Sequence, residues 1–497
     1  MRNTGPATTT SIVTQVRRQW SNDSETRPIR NTAMTPQATL VFDADLLRRY
    51  DRAGPRYTSY PTALEFHPDF SLADYRRCAS DAGSGADSRD LSLYLHLPFC
   101  ATVCYYCACN KIITKNRARA IPYLDSLQRE IELQAACFTA PRRVSQLHWG
   151  GGTPTYLNPE QMRSLMATTR AHFDLADDAS GEYSIEIDPR ETHDDTMAIL
   201  REIGFNRVSM GVQDFDPQVQ LAVNRIQSEA CTLAVIDAAR ASGFRSINID
   251  LIYGLPHQTC RSFRHTVDRI VAIGPDRISV FNYAHLPARF KVQRQIDARA
   301  LPDAAEKLAI LRQTTEQLLD AGYCYIGMDH FAKPEDELAI AQRERKLTRN
   351  FQGYSTHGDC DLIGLGVTAI GAIGNCYYQN ARDIDTYSAA IAAGRLPIER
   401  GLELSEDDRI RRHVISELIC HFSLDFDAVR RLFGIDARRY FAREIAALMS
   451  FQDDGLVSIS DTGIDVTPRG RLLIRNICMT FDRYLASAPE TKFSKVI

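Results

Sequence analysis

The sequence lacks any long hydrophobic run among its 497 residues. A membrane-spanning helix needs about 18 or more consecutive apolar residues, and every apolar stretch here is interrupted well before that length. The chain also lacks an excess of one charge, because its formal net charge at pH 7 is -3. Binding to nucleic acid through its phosphates requires a strongly basic surface. We therefore expect neither a membrane nor a nucleic-acid partner.

A second pair of closely spaced cysteines is also missing, although the chain has 13 cysteines in all. Closed zinc sites usually take their ligands from two such pairs, so this absence disfavours structural zinc. No secretory signal is recognisable, which disfavours a disulfide framework. We expect a cytoplasmic protein with reduced thiols.

What the sequence does contain is a group of thiols in the segment LSLYLHLPFCATVCYYCACN. Cys100, Cys104 and Cys107 form a C-x3-C-x2-C run, and Cys109 follows. Three thiolates from one short loop can hold three irons of a cubane cluster and leave the fourth iron open to an outside ligand. The spacing therefore predicts a catalytic iron–sulfur cluster.

Short apolar segments alternate with helical stretches from Leu91 to about Phe331. This alternation predicts a parallel sheet with right-handed crossovers. The six candidate strands are Leu91–Leu97, Gln146–Trp149, Tyr183–Asp188, Arg207–Gly211, Ser246–Leu251 and Arg277–Asn282. The distinctive polar and glycine residues fall near the carboxyl ends of these strands, where parallel sheets bind ligands.

Several motifs together resemble one enzyme family. They are LYLHLPFCATVCYYCACN, LHWGGGTPTYL, SIEIDPRE, GFNRVSMGVQDF, NIDLIYGLP, SVFNYAHLP and IGMDHFA. The cysteine loop resembles that of the radical SAM superfamily, and the whole set resembles the oxygen-independent coproporphyrinogen III oxidases (dehydrogenases) of haem biosynthesis. The resemblance runs from about Tyr57 to the C-terminus.

The resemblance implies an α/β fold with an incomplete six-stranded parallel (β/α)6 barrel, and an added strand near Tyr325. We expect residues 1–38 to form a disordered extension and 39–88 an N-terminal segment near the active-site mouth. The barrel would span 89–335, and 336–402 would extend and connect it. Helices and a hairpin around Asp461–Gly463 predict a mainly helical, winged-helix-like C-terminal domain over 403–497 on the substrate side.

The resemblance also implies a [4Fe-4S] cluster and two molecules of S-adenosylmethionine. The cluster ligands would be Cys100, Cys104 and Cys107. The residues that match contacts to the first S-adenosylmethionine are Tyr94, Gly151, Glu186 and Ile370. Those that match the second are Tyr106, Gly152, Thr153, Gln213, Arg225, Asp250 and Ala284. Cys109 would be an accessory catalytic thiol, because the true dehydrogenases carry a cysteine there.

Several of these residues also have a purely structural reading. Tyr94 and Tyr106 could be core aromatics, and three successive glycines often form only a turn. Glu186 is an acid in an apolar strand, so it needs a partner. That partner would be a bound cofactor or an internal arginine such as Arg207.

The implied reaction is the anaerobic oxidative decarboxylation of two propionate side chains of coproporphyrinogen III to vinyl groups, giving protoporphyrinogen IX. It would need an unidentified electron donor and electron acceptor, and the family suggests a monomer. A substrate with four carboxylates needs cations. Candidates in the right part of the chain are Arg289, Lys291, Arg294, His330 and Arg349, although such residues are more often solvated.

Two other functions remain open from the sequence. One is a related haem carrier protein that keeps the cluster but has no dehydrogenase activity. Cys109 and the segment PRYTSYPTA favour the enzyme over this carrier. The other is a winged-helix regulator that senses redox state, but the predicted wing, VSISDTGIDV, is acidic rather than basic.

Overall fold

The computed structural model describes residues 40–83, 89–138 and 141–485. The extension predicted for residues 1–38 lies outside these ranges. Within them, no helix combines the length and the apolar character that crossing a membrane would require.

The strands are β1 (Leu91–Leu97), β2 (Phe99–Cys100), β3 (Ile112–Ile113), β4 (Arg143–Gly151), β5 (Asp174–Leu175), β6 (Glu182–Ile187), β7 (Arg207–Gln213), β8 (Ser246–Tyr253), β9 (Arg277–Asn282), β10 (Cys324–Gly327), β11 (His330–Ala332), β12 (Thr348–Asn350), β13 (Gly353–Ser355), β14 (Asp361–Leu365), β15 (Ile370–Ile373), β16 (Cys376–Asn380), β17 (Ile398–Glu403), β18 (Ser423–Asp425), β19 (Val457–Ile459) and β20 (Gly463–Val466).

The helices are α1 (Ala44–Arg49), α2 (Leu72–Gly83), α3 (Ile121–Ala135), α4 (Pro159–His172), α5 (Thr196–Glu202), α6 (Pro217–Ala222), α7 (Glu229–Ala241), α8 (Cys260–Ile273), α9 (Ala304–Asp320), α10 (Glu337–Arg343), α11 (Ile384–Ala392), α12 (Glu406–His421), α13 (Phe426–Phe433), α14 (Ala437–Tyr440), α15 (Ala442–Asp453) and α16 (Ile474–Met479). Several begin at a side-chain cap: Asn158, Thr259 and Ser405 form capping boxes before α4, α8 and α12.

All six predicted strands form one sheet, and they pair in parallel in the order β9-β8-β7-β6-β4-β1. The added strand near Tyr325 is β10, which joins the sheet through the antiparallel strand β11. At the other edge, β14 pairs in parallel with β1, and β15 to β17 continue the sheet in antiparallel pairs. The sequence analysis assigned no strands to this second extension.

The two faces of the sheet differ in polarity. On one face, the leucines at positions 91, 93, 95 and 97 of β1 are at most 1% exposed. On the other face, the strand register pairs polar side chains in three successive rows: Tyr94 pairs with His148, Glu186 with Ser209, and Asp250 with Ser279. Because strand side chains alternate between faces, the apolar residues form the core and the polar rows face the site.

The C-terminal region combines helices with a small antiparallel sheet in the order β18-β20-β19. The predicted hairpin is confirmed as β19 and β20, and β18 adds a strand that the sequence pattern did not show. The N-terminal segment contacts this region directly. Arg475 in α16 donates from Nε to the carbonyl of Pro55 at 3.0 Å, and the Tyr57 hydroxyl donates to Asp482 at 3.0 Å.

One disulfide, Cys78–Cys376, joins α2 to β16, and the other cysteines are free. The chain therefore has a single cross-link instead of a disulfide framework. It also differs from the expectation of fully reduced thiols. No local pattern predicts this pair, because its partners lie 298 residues apart.

Candidate cluster and cofactor site

The cysteine loop is closed at its base by two short parallel strands, β2 and β3. The backbone N–H of Ile112 donates to the carbonyl of Pro98 at 2.7 Å, and the backbone N–H of Thr114 donates to the carbonyl of Cys100 at 3.0 Å. These bonds bring the two ends of the loop together directly after β1. The loop therefore projects from the carboxyl end of the first parallel strand, as predicted.

The far side of the loop is anchored to the segment after α6. Tyr105 donates its backbone N–H to the carbonyl of Val223 at 2.9 Å. The side chain of Asn224 donates to the carbonyl of Val103 at 2.7 Å, and Asn224 adopts a positive φ of 54°. Both ends and the middle of the loop are thus fixed by backbone carbonyls, which leaves the thiols available for ligation.

The three predicted ligands are not arranged around a single ion. Cys104 is buried, Cys100 and Cys107 are partly buried, and Cys109 is exposed. Among the described residues, only Cys78, Cys376 and Glu403 bring three possible ligand atoms within 4.8 Å of one another. A cubane takes each thiolate on a different iron, whereas zinc gathers its ligands around one centre. The three thiols of the loop therefore do not gather around one centre as the ligands of a zinc ion would.

A hydrogen bond from Cys109 lowers the pKa of Cys107 to about 5, and Lys111 adds to the effect against the opposing effect of burial. The Lys111 ammonium also donates to the carbonyl of Cys107 at 3.0 Å. A lowered pKa favours the thiolate, which is the form that ligates metal. Cys109 therefore contacts one of the three predicted cluster ligands.

Two arginines donate to the sulfur of Cys104. The distances are 3.5 Å from Arg190 and 3.6 Å from Arg225. Asp188, at the end of β6, accepts from both guanidinium groups, at 2.7 and 2.8 Å. Cationic donors at a ligand sulfur stabilise its negative charge. The sequence analysis found Arg225 by resemblance but missed Asp188 and Arg190, although both stand in the motif SIEIDPRE.

The three glycines at the end of β4, Gly150 to Gly152, permit close packing that a side chain would prevent. A Cβ at Gly150 would lie 2.9 Å from the Glu186 carboxyl carbon, and one at Gly151 would lie 2.5 Å from the His96 ring. Gly151 also has a φ of +107°, which favours glycine. The structural reading of these glycines as a simple turn is insufficient, because they form the contact surface for Glu186 and His96.

Gly152 and Thr153 join the glycine turn to the cysteine loop. Their backbone N–H groups donate to the carbonyls of Leu97 and Phe99, each at 2.8 Å. The Thr153 hydroxyl donates to the sulfur of Cys100 at 3.5 Å. The backbone N–H groups of Gly152 and Thr153 are therefore already bonded within the protein. A cofactor could contact these two residues only through their other atoms.

Glu186 faces the polar side of the sheet and is held by two donors. Its carboxylate accepts from the N–H of Gly151 at 3.1 Å and lies 3.3 Å from His148 Nε2. The alternative partner Arg207 instead pairs with Glu182 and Glu337, so an ion pair between Glu186 and Arg207 is excluded. The side chain of Glu186 remains 46% exposed, which leaves it accessible to a ligand.

Burial would raise the pKa of Glu186, but the hydrogen bond and charge of His148, with the N–H of Gly151, outweigh this effect and lower it. Glu186 is therefore a carboxylate near neutral pH and is suited to an ammonium or hydroxyl ligand. Tyr94 lies beside this pair. Its ring stacks on His148 with centroids 5.9 Å apart, and its hydroxyl shares a 3.0 Å hydrogen bond with His96 Nδ1.

Asp250 and Gln213 continue the polar rows on the neighbouring strands. Asp250 accepts from Asn248 at 2.8 Å and from Ser209 at 3.1 Å. Burial, followed by the charge of Glu186, raises the pKa of Asp250 to about 6. Gln213 adopts a positive φ of 71°, and its buried Oε1 has no hydrogen-bond partner among the described residues. Both side chains therefore have unused capacity for a polar ligand.

Tyr106 and Ala284 are brought together by Gln293, a residue that the sequence analysis missed. Its side-chain amide donates to the carbonyl of Tyr106 at 3.0 Å and to that of Ala284 at 3.3 Å. Ile370 lies apart from this group, at the start of β15, where it packs against the small cluster of Phe66, Tyr377 and Leu404. The strand order places Ile370 two strands from β1, at the end of the sheet that carries the cysteine loop.

Comparisons with known proteins give the family of this chain. Residues 94–270 match the model of the radical SAM superfamily, and residues 404–473 match the HemN C-terminal domain. The chain is 56% identical to the oxygen-independent coproporphyrinogen III oxidase of Pseudomonas aeruginosa, over 92% of this chain and 99% of that protein. It is 51% identical to the protein of that name from Escherichia coli K12, over the same shares of each chain.

The chain belongs to the oxygen-independent coproporphyrinogen III oxidase family.

A solved structure supports this assignment. The structure described as coproporphyrinogen III oxidase (HemN) from Escherichia coli, a radical SAM enzyme, superimposes with a TM-score of 0.85 at 50% identity. The match covers 90% of this chain and 100% of that one. The predicted fold class is thereby confirmed, and membership of this radical SAM family implies a [4Fe-4S] cluster and S-adenosylmethionine.

The residues present fit these two groups. The three thiols stand on one short loop at the carboxyl end of β1, and cationic donors lie against one of them. The Gly151 cradle and the carboxylate of Glu186 lie at the same end of the sheet. The cluster loop, the glycine turn and Glu186 thus form one continuous site in this member of the oxidase family.

Proposed function

We propose that this protein converts coproporphyrinogen III to protoporphyrinogen IX without oxygen, as the names of its relatives indicate for those proteins. Each of two propionate side chains would lose a hydrogen atom from its β-carbon, CO2 and one electron, and a vinyl group would remain. The observation that carries this proposal is the cysteine loop at the end of β1, bonded through Gly152 and Thr153 to the turn that holds Glu186.

When bound, the reduced cluster and S-adenosylmethionine supply a carbon radical that removes the substrate hydrogen. The protein's part is to bind and orient. Cys100, Cys104 and Cys107 would hold the cluster, with Arg190 and Arg225 donating to the sulfur of Cys104. Asp188 holds both guanidinium groups in place by ion pairs.

Glu186, Gly151 and Tyr94 would bind the first S-adenosylmethionine, with Ile370 at its adenine. The carboxylate of Glu186 is anionic and accessible, so it can accept hydrogen bonds from the ammonium group of that molecule. The glycines allow Glu186 and His96 to pack against the turn after β4, which fixes the carboxylate in position. Holding the reactive carbon next to the substrate and excluding water are the protein's main contributions to rate.

A second S-adenosylmethionine is part of the proposal. Its site would comprise Tyr106, Gly152, Thr153, Gln213, Arg225, Asp250 and Ala284. Support comes from the unpartnered Oε1 of Gln213 and from the Asp250 carboxylate on the same face. The close contact of Arg225 with Cys104 supports a position for this site beside the cysteine loop.

We also propose a division of the chain into 39–88 as an N-terminal segment, 89–335 as the barrel, 336–402 as its extension, and 403–497 as a substrate-side domain. The hydrogen bonds from Arg475 and Tyr57 support a joint role of the first and last of these at the mouth of the site. The protein would act as a monomer with an external electron donor and acceptor.

The test is an anaerobic assay. The protein is reconstituted with iron and sulfide and given dithionite, S-adenosylmethionine and coproporphyrinogen III, and protoporphyrin is measured by fluorescence after oxidation. We expect product from the wild type and none from Cys104→Ser. If the cluster forms but no vinyl product appears, while haem binds stoichiometrically, the protein is a haem carrier and the proposed enzymatic function is wrong.

A further inference from the structure

The polar face of the sheet extends beyond Asp250 to β11. In the register, Asp250 pairs with Ser279, and Ser279 pairs with His330. Paired residues of neighbouring strands point to the same face. His330 therefore lies on the same face as the proposed S-adenosylmethionine residues, two strands from Asp250.

Arg349 lies next to His330, on the hairpin formed by β12 and β13. Its guanidinium carbon is 4.7 Å from the centre of the Tyr354 ring, and the His330 ring lies 5.3 Å from the same ring. Nε and Nη1 of Arg349 are buried, and neither has a hydrogen-bond partner in the part of the chain that the structure describes. A buried guanidinium with unused donors is costly unless an anion pairs with it.

The surroundings of Arg349 are rich in positive charge. Burial and then the charge of Arg349 lower the pKa of His330 to about 3, so His330 is neutral near pH 7. Burial and the guanidinium groups of Arg56 and Arg349 lower the pKa of Arg475 to about 10. Asp329 contributes a negative charge, and it is paired with Arg56 at 2.6 Å. The positive charge of Arg349 is therefore not balanced by Asp329.

We propose that Arg349 binds a propionate carboxylate of the substrate, with His330 beside it as a neutral polar neighbour. This rests on the proposed function, because a tetracarboxylate is the ligand. Arginine can bind a carboxylate through two parallel hydrogen bonds, which would also fix the orientation of the tetrapyrrole. Of the five cationic candidates in the sequence, Arg289, Lys291 and Arg294 are exposed, and His330 is uncharged.

The experiment measures binding of coproporphyrin III, the stable oxidised tetracarboxylate, to the anaerobically reconstituted full chain by fluorescence titration. We compare wild type with Arg349→Gln, Arg349→Lys and the exposed control Arg163→Gln, a residue of α4 that pairs with Glu202. We expect Kd to rise about tenfold or more for Arg349→Gln and by less for Arg349→Lys, with no change for the control. Cluster content and S-adenosylmethionine affinity should match wild type, and the KM for coproporphyrinogen III should rise more than kcat falls.

A Kd for Arg349→Gln within about twofold of wild type would overturn the inference. If Arg349→Gln loses its thermal transition, Arg349→Lys decides: weaker binding by a folded Arg349→Lys supports the inference, and unchanged binding overturns it. If the wild type converts substrate but Arg349→Gln binds equally well, only this inference fails. If the wild type neither binds coproporphyrin III nor converts coproporphyrinogen III, both the proposed function and this inference fail.

Discussion

The carboxylate of Glu186 shows how one residue can be kept charged inside a largely buried site. The hydrogen bond and charge of His148, together with the N–H of Gly151, oppose the effect of burial on its pKa, and no arginine or lysine is needed for this. The negative charge therefore remains available for a ligand. An arginine partner such as Arg207 would have neutralised it.

We predict that Glu186→Gln weakens binding of S-adenosylmethionine about tenfold or more, because the amide carries no negative charge to pair with the ammonium group. Iron content after reconstitution should stay at the wild-type level, since the cluster loop does not depend on this carboxylate. Isothermal titration calorimetry of the reconstituted protein measures the affinity. Glu202→Gln, at an exposed glutamate paired with Arg163, is the control. Equal affinity of Glu186→Gln and wild type would contradict the assignment.

Glu130 in α3 has a raised pKa, in contrast to the lowered pKa of Glu186, and this leads to a prediction about the pH dependence of stability. It accepts hydrogen bonds from Tyr387 at 2.6 Å, Asn380 at 2.6 Å and the N–H of Gly366 at 2.7 Å, yet burial raises its pKa to about 7. The folded state therefore binds a proton that the unfolded state releases above about pH 4.5. Stability from this group is fully present below pH 4.5 and falls as the pH rises to about 7.

The measurement is thermal or urea unfolding of wild type and Glu130→Gln from pH 4.5 to 8. The wild type should lose on the order of 3 kcal/mol more than the variant over this range, because glutamine does not titrate. Glu130→Gln should also be less stable than wild type at low pH, since its amide N–H2 faces donors. Parallel stability curves for the two proteins would show that Glu130 keeps an ordinary pKa in the folded state.

At the scale of elements, the turn after β4 holds the cysteine loop in position. A Cβ at Gly152 would lie 2.7 Å from the carbonyl oxygen of Phe99, which is backbone and cannot rotate away. We predict that Gly152→Ala displaces the loop and lowers the iron bound after reconstitution by about half or more, because ligand geometry tolerates little displacement. Iron analysis and the visible absorption of the cluster measure the effect.

The control for this substitution is Gly83→Ala, at the end of α2, where a Cβ would meet nothing within 4 Å. This variant should bind iron as the wild type does. Full iron content in Gly152→Ala would mean that the loop does not need the close approach of the glycine turn.

The elements were predictable in proportion to the regularity of their sequence patterns. The six parallel strands alternate apolar and polar residues, or are continuously apolar, and each stands before a helical stretch, so their positions were correct within a few residues. The strands β14 to β17 were not predicted. DLIGL and IGAI are short and contain glycine. The pairing of DLIGL with β1 joins residues about 270 positions apart, and IGAI enters the sheet only through DLIGL.

The candidate site was predictable only in part, for a similar reason. Motifs and resemblance indicated the cysteines, the glycines, Glu186 and Asp250. They did not indicate His96, His148, Asp188, Arg190 or Gln293, which act by orienting those residues. Their roles arise from hydrogen bonds across the sheet, and no local spacing encodes such bonds. The contact of Arg225 with Cys104 is of the same kind.

At the scale of the whole molecule, the N-terminal segment and the C-terminal region are tied together across most of the chain. The Tyr57 hydroxyl donates to Asp482, a residue 425 positions away, and both side chains are buried. Tyr377 in β16 donates to the carbonyl of Tyr60 at 3.1 Å. The segment that contains PRYTSYPTA is therefore fixed by long-range bonds to the sheet extension and to the C-terminal region.

We predict that Tyr57→Phe destabilises the protein by about 1–3 kcal/mol, because the buried carboxylate of Asp482 loses a donor. The same change at Tyr440, whose hydroxyl contacts Asp407 at an exposed position, should cost much less. Chemical unfolding compares the two variants with wild type. Equal effects of Tyr57→Phe and Tyr440→Phe would mean that the buried bond adds little to the connection between the two ends.

The account as a whole depends on removal of hydrogen from the propionate β-carbon at this site. The most direct measurement is to supply coproporphyrinogen III deuterated at the propionate β-carbons and to analyse the 5'-deoxyadenosine formed by mass spectrometry. The account predicts that deuterium appears in 5'-deoxyadenosine together with vinyl product, and that both are absent from Cys104→Ser. Unlabelled 5'-deoxyadenosine formed alongside vinyl product, or haem bound with neither compound formed, would contradict it.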